Sequence, residues 1–475
     1  MSRDALFPGS ERRWTVDELL SRRLAAARDR VNQDSVVPTI DRPRFSEELA
    51  SFDFETPVPL QQALDWTIAQ METGLVHVAH PRYFGLFNPT PTFPAQCADR
   101  IAAVFNPQLA TSTTSPVAVA IEGHVIRAVA HRLGMPQRAF GHFTTGGAEA
   151  NYTALILALT RACPEFPSDG ARAFDGSPTF YVSRESHLAW FKIAHQAGIG
   201  RRAVRLVATD GAGRMDARAL SEAVQTDRDR GHSPVMVVAT AGTTNAGMID
   251  PLEACGALAR DAGLWFHVDA AWGGAVAASE RHRGLLAGIE QADSVTVDAH
   301  KWFAATMGCG MFVTRWPALL SSTFNVSTGY MPSNLTDDPY VTTIQWSRRF
   351  VGLRLFLSLA AAGWRGYAEH IERTLSLAER LRQLLSSRGW RVVNQSPLGV
   401  VCLERPPTTE GIRAIANHVL GSGRAWVSVA AFEGREVIRA CITSGETTDS
   451  DIETLVNCLQ DAINPRSEEA RLWTT

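Results

Sequence analysis

The chain has 475 residues, of which 45% are hydrophobic and 20% charged, and its formal net charge is −3. This length is enough for a large core and two or three domains. The near-neutral charge, without a long basic or acidic block, argues against nucleic acid and anionic membranes as partners. No apolar stretch reaches the roughly 18 residues that a membrane span needs.

Residues 1–85 are predicted to be a helical arm. Residues 15–31 (TVDELLSRRLAAARDRV) and 59–75 (PLQQALDWTIAQMETGL) have helical apolar spacing, and a proline-containing linker separates them. The segment has little strand character, which is typical of a layer that packs on another surface.

Residues 86–350 are predicted to be a large α/β domain. Apolar, β-branched runs alternate with helical stretches such as 216–231 and 251–263, which indicates a mostly parallel sheet. Residues 321–345 are predicted to be a long polar loop, of a length typical of a lid. The predicted strands are 178–183, 203–209, 234–242, 264–271, 294–298 and 310–314.

Residues 351–475 are predicted to be a smaller α+β domain. A long helical region covers about 350–388, and a helix is expected at 449–463. Between them lie two predicted strands, GVVCLER (399–405) and EVIRACI (436–442).

The seven cysteines are odd in number and far apart, which predicts reduced thiols in a cytoplasmic protein. The 13 histidines show no metal-type spacing, so no metal centre is expected. The N-terminal MSRDALFPGSERRW has no apolar run that could serve as a signal peptide.

Lysine is rare in this chain and occurs only at Lys192 and Lys301, while 44 cationic residues are arginine. Codon usage in a GC-rich genome explains the bias itself. A retained lysine indicates chemistry that guanidinium cannot supply, because lysine can lose its proton and form an imine. Lys301 follows a predicted strand, in SVTVDAHKWF, whereas Lys192 lies within a predicted helix. The alternative for Lys301 is a partly buried ion pair.

Three further motifs lie at strand ends or helix starts, where open α/β sheets bind ligands. In FTTGGAEAN, Gly146 and Gly147 open a helix whose free N–H groups suit a phosphate, although a tight turn is the alternative. In WFHVDAAWGG, Asp269 closes an apolar strand and either pairs with a proton-bearing group or caps the next helix. His187 begins a helix after a strand, and a structural role is the alternative for it.

One ligand satisfies all four motifs. It carries a phosphate for the helix start, a protonated ring nitrogen for Asp269 and an aldehyde for Lys301, and His187 can stack on its ring. That ligand is pyridoxal 5'-phosphate, an electron sink for charge at the α-carbon of an amino acid.

The ordered motifs TTGGAEAN, SHLAWFKIA, ATAGTTNAGMIDP, HVDAAWGG and DAHKW resemble the group II pyridoxal-phosphate-dependent amino acid decarboxylases, such as the aromatic amino acid and glutamate decarboxylases. The resemblance extends from about residue 80 into the C-terminal domain. It implies the type I, aspartate aminotransferase-like fold, with a mostly parallel seven-stranded sheet, a small C-terminal α+β domain and an N-terminal helical arm. It also implies a homodimer with shared active sites, in which the arm wraps the partner.

The resemblance assigns roles residue by residue. Lys301 is the Schiff-base lysine, His300 contacts the phosphate, and Asp269 pairs with the ring nitrogen. The other implied cofactor positions are Gly146, Gly147 and Ala148 at the phosphate, His187 and Ala271 on the two ring faces, and Thr244, Asp250 and Asp298 nearby.

The family's mobile loop carries a tyrosine that returns a proton to the substrate carbon. Tyr340 lies nearest to that position, and Tyr330 is the alternative. Family members with phenylalanine there make aldehydes oxidatively instead of amines.

Two departures point to an altered substrate pocket. Asp298-Ala299 stands where the aromatic decarboxylases have Asn-Pro, and Asn88-Pro89 stands where they have Pro-Thr. Phe84, Phe87 and Asn88 are therefore candidate substrate-binding residues.

The leading functional prediction is decarboxylation of an L-amino acid or amino-acid conjugate through Lys301. The altered pocket leaves open oxidative decarboxylation–deamination, or β-elimination of an S-cysteinyl conjugate as in lincosamide-type antibiotic biosynthesis. The His-Lys pair argues against an aminotransferase or cysteine desulfurase of the same fold. The intact Lys–Asp–His set argues against a binding protein without catalysis.

Overall fold

The computed structural model describes residues 2–326, 338–405 and 411–463. Its larger sheet has seven strands in the order β1-β7-β6-β5-β4-β2-β3. The strands are β1 (Phe140–Thr144), β2 (Pro178–Ser183), β3 (Val204–Val207), β4 (Ser233–Thr240), β5 (Trp265–Asp269), β6 (Ser294–Asp298) and β7 (Gly310–Thr314).

Six of these strands run in the same direction. β2 pairs in parallel with β3 and β4, and β5 pairs in parallel with β4 and β6. β7 is antiparallel to both β6 and β1, so β7 alone is reversed. The carboxyl ends of the other six strands therefore meet at one edge of the sheet, which confirms the predicted mostly parallel architecture.

Every predicted strand of this sheet is present, because buried β-branched runs specify strands well. β1 was not predicted, since its sequence FGHFT contains a glycine and a histidine. The glycine is needed for close pairing, because a Cβ on Gly141 would lie 1.8 Å from the carbonyl oxygen of Phe312 in β7. Burial of His142 lowers its pKa well below the usual value, so the imidazole stays neutral within the core.

Helices pack around this sheet, and the predicted helices 216–231 and 251–263 correspond to α10 and α11 as bounded below. The prediction of one long loop over 321–345 is partly wrong, because helices occupy both of its described ends. Side-chain hydroxyls satisfy carbonyl groups there, as in the bond from Thr323 Oγ1 to Leu319 O (2.6 Å).

The first helices in the chain are α1 (Ser2–Leu6), α2 (Ser10–Val31), α3 (Arg42–Ala50) and α4 (Leu60–Gly74). Those that follow are α5 (Phe93–Phe105), α6 (Pro116–Arg132), α7 (Gly147–Ala162), α8 (Phe166–Asp169), α9 (Ala189–Gln196), α10 (Ala217–Asp229), α11 (Leu252–Asp261), α12 (Pro317–Phe324) and α13 (Pro339–Thr342).

The arm consists of α1 to α4, and its three long helices bury none of their residues. α2 lies against α4 through ion pairs between Arg23 and Asp65 (2.8 Å) and between Arg30 and Glu72. At the start of α3, the Asp41 side chain accepts a hydrogen bond from the N–H of Arg44 (3.2 Å).

The chain then builds a second, four-stranded antiparallel sheet in the order β10-β11-β9-β8, as predicted for a small α+β unit. The long helix before it bends at Gly363, whose φ of 64° is a left-handed conformation. The elements are α14 (Gly352–Ser387), β8 (Arg391–Val392), β9 (Val400–Glu404), α15 (Ile412–Gly421), β10 (Ser428–Phe432), β11 (Arg435–Cys441) and α16 (Asp449–Ile463).

The two sheets are joined by α14. Leu353, in its first turn, packs in one buried cluster with Ala98 of α5, while Leu381, near its end, packs with Ile438 of β11. The domain limits at residues 85 and 350 stay predictions. No helix within the described ranges is long and apolar enough to cross a membrane.

Candidate active site

The predicted site motifs lie together at the carboxyl edge of the large sheet. Asp269 is the last residue of β5, and Lys301 follows the end of β6 by three residues. Gly146 and Gly147 follow β1, and His187 follows β2. Because these strands share one direction, their ends lie side by side.

Lys301 lies at the centre of this edge. Its Nζ is 3.0 Å from Oδ2 of Asp298 and 5.6 Å from the centroid of the Phe87 ring, and its side chain is 22% exposed. His300 Nε2 is 3.8 Å from the same carboxylate oxygen, and burial lowers the pKa of His300. The ion pair that was the alternative interpretation of Lys301 is thus present. The groups around Lys301 decide whether it serves only as an ion-pair partner or also forms an imine.

The start of α7 approaches Asp298 closely. A Cβ on Gly147 would lie 2.9 Å from Asp298 Oδ2, and a Cβ on Gly310 would lie 2.7 Å from Asp298 Oδ1 and 2.6 Å from Thr144 Oγ1. In the described part of the chain, Asp298 Oδ1 is buried without a hydrogen-bond partner. The two glycines therefore let the backbone of α7 and β7 lie against the Asp298 side chain. The N–H groups in the first turn of α7 suit a phosphate.

Asp269 is held by two donors. Asn151 Nδ2 donates to Oδ2 (2.8 Å), and the N–H of Ala271 donates to Oδ1 (3.2 Å). The side chain is almost completely buried. Asn151 is a site residue that sequence reasoning missed, although it is the last residue of the quoted motif TTGGAEAN and lies in the second turn of α7.

His187 is exposed at the edge, and its Nδ1 accepts a hydrogen bond from the N–H of Ala189 (3.1 Å). Desolvation by the surrounding protein lowers its pKa, and the nearby carboxylate of Asp269 opposes that shift. The charges of Asp269 and Lys301 both act on the pKa of His187, and its role on the ring face stays a prediction. Ala148 is exposed in the first turn of α7, and Ala271 Cβ would lie 3.4 Å from a Cβ on Gly147.

Asp250 does not face the cluster around Lys301 directly. Its two oxygens accept hydrogen bonds from the N–H groups of Met215 and Thr240, each 2.7 Å long. Complete burial raises the pKa of Asp250 to about 6. These contacts fix the end of β4, and Thr244 follows four residues later.

The three predicted substrate residues have different surroundings. Phe87 lies beside Lys301 and its ring centroid is 4.5 Å from that of Trp272. Phe84 is completely buried in the core of the smaller sheet. Asn88 is half-buried, and its Nδ2 lies 3.0 Å from Met307 Sδ. Of the three, the described contacts bring only Phe87 to the lysine.

Arg439, in the middle of β11, is a second site residue that the sequence analysis missed. Its guanidinium lies 4.6 Å from the Phe87 ring centroid, Nε donates to Thr244 O (2.8 Å), and Nη1 donates to Gly85 O. Nη2 is buried without a partner among the described residues. The one charged residue in the otherwise apolar run VIRACI (437–442) was the available sequence signal.

The two tyrosine candidates differ in what the structure describes. Tyr340 lies in α13 and is buried, its N–H donates to Ala110 O (3.1 Å), and its ring lies 5.5 Å from that of Trp346. None of these contacts joins it to Lys301. Tyr330 lies outside the described residues.

The residues present fit pyridoxal 5'-phosphate. The amine of Lys301 suits an aldehyde, the buried carboxylate of Asp269 suits a protonated ring nitrogen, and the helix start beside Gly147 suits a phosphate. The close approach of the glycine helix start of α7 to Asp298, the ion-pair partner of Lys301, is the structural observation that supports this fit, because it sets the helix N–H groups beside the lysine.

Comparison with known proteins agrees with this geometry. A family model described as the pyridoxal-dependent decarboxylase conserved domain matches residues 54–405. The acidic amino acid decarboxylase of Bos taurus is 32% identical over 336 residues, which are 69% of this chain and 64% of that protein. The aromatic-L-amino-acid decarboxylase of Bacillus atrophaeus is 29% identical over 431 residues, 88% of each chain. The phenylacetaldehyde synthase of Arabidopsis thaliana is 26% identical over 423 residues, 85% of this chain and 86% of the other.

Among solved structures, Oryza sativa TDC with PLP and tryptamine superimposes with a TM-score of 0.90 at 22% identity, covering 96% of this chain and 98% of that one. This likeness shows that the two chains share a fold. The family match covers well over half of the present chain. The protein belongs to the pyridoxal-dependent decarboxylase family, and pyridoxal 5'-phosphate is its cofactor.

Proposed function

We propose that the protein removes the α-carboxylate of an L-amino acid as CO₂, with pyridoxal 5'-phosphate bound at Lys301. The observation that supports this most is the meeting of Lys301, Asp269 and the start of α7 at one sheet edge. When bound, the cofactor supplies an electron sink for the electron pair that remains on the α-carbon.

Each side chain at the edge has a proposed task. Lys301 holds the cofactor covalently, and Asp269 keeps a proton on the ring nitrogen. His187 and Ala271 cover the two faces of the ring. The N–H groups of Gly146, Gly147 and Ala148 would bind the phosphate with His300 beside them. Asp298 would pair with Lys301, and Thr244 and Asp250 would support the ring side.

Arg439 is proposed to receive a carboxylate of the substrate. Its Nη2 has free donors and lies in a dry setting beside Phe87, where a charge-assisted hydrogen bond is strong. An L-amino acid bound there is anchored at the edge that carries Lys301. Phe87 packs on both cations and excludes water from the space between them.

The product depends on whether a proton or O₂ reacts at the α-carbon after CO₂ has left. In the proposed reaction the bond to the carboxylate breaks, CO₂ leaves, and a tyrosine hydroxyl returns a proton, which yields an amine. Tyr340 is the proposed donor, acting at the second subunit of a homodimer, and Tyr330 is the alternative. Similarity to a phenylacetaldehyde synthase supports an aldehyde as the second candidate product, formed with O₂ as oxidant. β-Elimination of S-cysteinyl conjugates stays a sequence-based prediction.

The decisive experiment compares the wild type with Lys301→Ala and Lys192→Ala. Each protein is loaded with pyridoxal 5'-phosphate, reduced with borohydride and mapped by peptide mass. We expect the pyridoxyl group on Lys301 in the wild type and in Lys192→Ala, and no covalent label in Lys301→Ala. Lys192 is an exposed lysine in α9 and is the matched control.

The same three proteins are then incubated in air with L-amino acids and S-alkyl cysteine conjugates. We expect amine and CO₂ from one class of amino acid, with a loss of at least about a thousandfold in Lys301→Ala. Aldehyde, ammonia and peroxide would establish the second candidate, and pyruvate with a thiol would contradict both. A label on Lys192 would overturn the site assignment.

A further inference from the structure

A chain of buried hydrogen bonds runs inward from Asp269 through three elements of the fold. It joins α7, β5 and β6, and the side chains in it are 5% exposed or less. The bonds in order are Asn151 Nδ2 to Asp269 Oδ2 (2.8 Å), His267 Nε2 to Asn151 Oδ1 (3.0 Å), Ser294 Oγ to His267 Nδ1 (2.8 Å) and Trp265 Nε1 to Ser294 Oγ (2.8 Å).

The direction of these bonds follows from the carboxylate end. An ionised carboxylate only accepts, so the amide of Asn151 must turn its NH₂ to Asp269 and its oxygen to His267. His267 must therefore carry its proton on Nε2. Burial lowers the pKa of His267 to about 4, so the ring is neutral near pH 7 and Nδ1 is an acceptor.

The tryptophan end of these hydrogen bonds gives the same donor and acceptor assignment. An indole N–H only donates, so Ser294 accepts from Trp265 and is free to give its own proton to His267 Nδ1. Thr296 Oγ1 lies 3.4 Å from His267 Nε2, but a hydroxyl can donate or accept and does not select a tautomer. The backbone of Ser294 also hydrogen-bonds the imidazole and is the partner that remains in the other tautomer. Trp265 and Asp269, each with one possible role, favour the direction given above.

We propose that Asn151, His267 and Ser294 are positioning residues that keep the Asp269 carboxylate oriented toward the ring nitrogen of the cofactor. The proposal rests on the proposed function, in which Asp269 pairs with that nitrogen. Asn151 supplies a fixed donor to the carboxylate, and the residues behind it prevent the amide from turning over.

Ser294 provides the sharpest test because it is three hydrogen bonds away from Asp269. In Ser294→Ala, Nδ1 of His267 loses its donor, and the tautomer with its proton on Nδ1 becomes competitive. In that tautomer Nε2 accepts a hydrogen bond, so the NH₂ of Asn151 turns to His267 and its oxygen turns to Asp269. The carboxylate then faces a lone pair in place of a donor and holds a ring proton less well.

The experiment loads the full chain with pyridoxal 5'-phosphate labelled with ¹⁵N in the ring and records the ¹⁵N chemical shift, which separates protonated from neutral nitrogen. Thr314→Val is the matched control. Thr314 is the cross-strand partner of Ser294 and is completely buried. Its hydroxyl donates to Asp293 O (2.8 Å) and is not one of the hydrogen bonds between Trp265 and Asp269. Asn151→Leu removes the donor to Asp269 directly and is the second variant.

We expect the nitrogen signal to move toward the neutral form in Ser294→Ala and further in Asn151→Leu, and to stay in place in Thr314→Val. The cofactor dissociation constant should rise about three- to tenfold in Ser294→Ala and about tenfold or more in Asn151→Leu, as for the loss of a hydrogen bond to a charged group.

The inference fails if Asn151→Leu and Ser294→Ala both keep the wild-type nitrogen signal, because the chain would then serve packing alone. It also fails if Thr314→Val moves the signal as far as Ser294→Ala. Failure of the proposed function looks different, since the wild type itself would then bind no cofactor at Lys301. If Ser294→Ala does not fold, Asn151→Leu alone decides the outcome.

Discussion

Single charged or polar residues inside apolar strands carry much of the site. Asp269 ends β5, and Arg439 lies in the middle of β11, where its buried Nη2 meets no partner among residues 2–326, 338–405 and 411–463. Burying such groups costs free energy unless a partner is present. The free donor of Arg439 therefore marks the place where an anionic group of the substrate is expected.

Replacing Arg439 with Gln is predicted to weaken substrate binding while the cofactor stays covalently bound. Loss of a charge-assisted hydrogen bond should raise KM about ten- to a hundredfold. Steady-state kinetics with the preferred amino acid measure this, and absorbance of the bound cofactor checks loading. Arg435→Gln is the control, since Arg435 is an exposed residue of the same strand. Unchanged KM in Arg439→Gln would remove Arg439 from the proposed pocket.

At the scale of elements, the arm exposes large apolar side chains. α2, α3 and α4 bury none of their residues within the chain. The apolar side chains of Leu6, Trp14 and Leu24 in the arm are half or more exposed. Exposed apolar residues grouped in one segment are typical of a protein interface. This observation supports the proposal that the arm wraps a second subunit.

Trp14→Asp is therefore predicted to weaken a homodimer. The aspartate would place a charge in the proposed interface between the arm and the second subunit. It should raise the dimer dissociation constant about a hundredfold, because aromatic residues dominate interface energetics. Sedimentation velocity at micromolar concentration measures the shift. Leu206→Asp is the control, since Leu206 is a half-exposed residue of β3 outside the arm. A monomeric wild type, or an equal shift in both variants, would contradict the prediction.

At the scale of the whole molecule, buried histidines make stability depend on pH. Burial lowers the pKa of His80, His267 and His370 to about 4, while an unfolded histidine binds its proton near pH 6.5. Acidification from about 6.5 to 4 thus favours the unfolded chain. Asp250 acts in the opposite sense, because its pKa is raised to about 6 and the folded chain takes up that proton first. Burial also lowers the pKa of His142 and His300 and raises that of Glu185, so the buried histidines outnumber the buried carboxyl groups. The balance predicts a net loss of stability.

His370→Gln is predicted to reduce this acid sensitivity. A neutral side chain at that place removes the proton uptake of the unfolded state, so the loss of unfolding free energy between pH 7 and pH 4 should shrink by about 3 kcal/mol. Urea unfolding at the two pH values measures the difference. The exposed His195→Gln is the control, and an equal effect there would show that burial is not the cause.

The sequence predicted much of the fold because strands and helices are specified locally. Buried β-branched runs defined six strands of the large sheet, and α16 has the predicted limits 449–463. β1 was missed because Gly141 and His142 break the apolar run, and the reasons for both lie in the neighbouring strand β7. The loop prediction at 321–345 failed where hydroxyl side chains close short helices.

The sequence by itself determined the family, the cofactor and the motifs at the strand ends, because these motifs are contiguous and their chemistry follows from residue type. Only the tertiary structure decided which distant residues meet them. Asn151 and Asp269 are 118 residues apart in the chain, and Arg439 reaches Thr244 across 195 residues. No local pattern encodes such contacts, because strand order and packing between the two sheets bring the partners together.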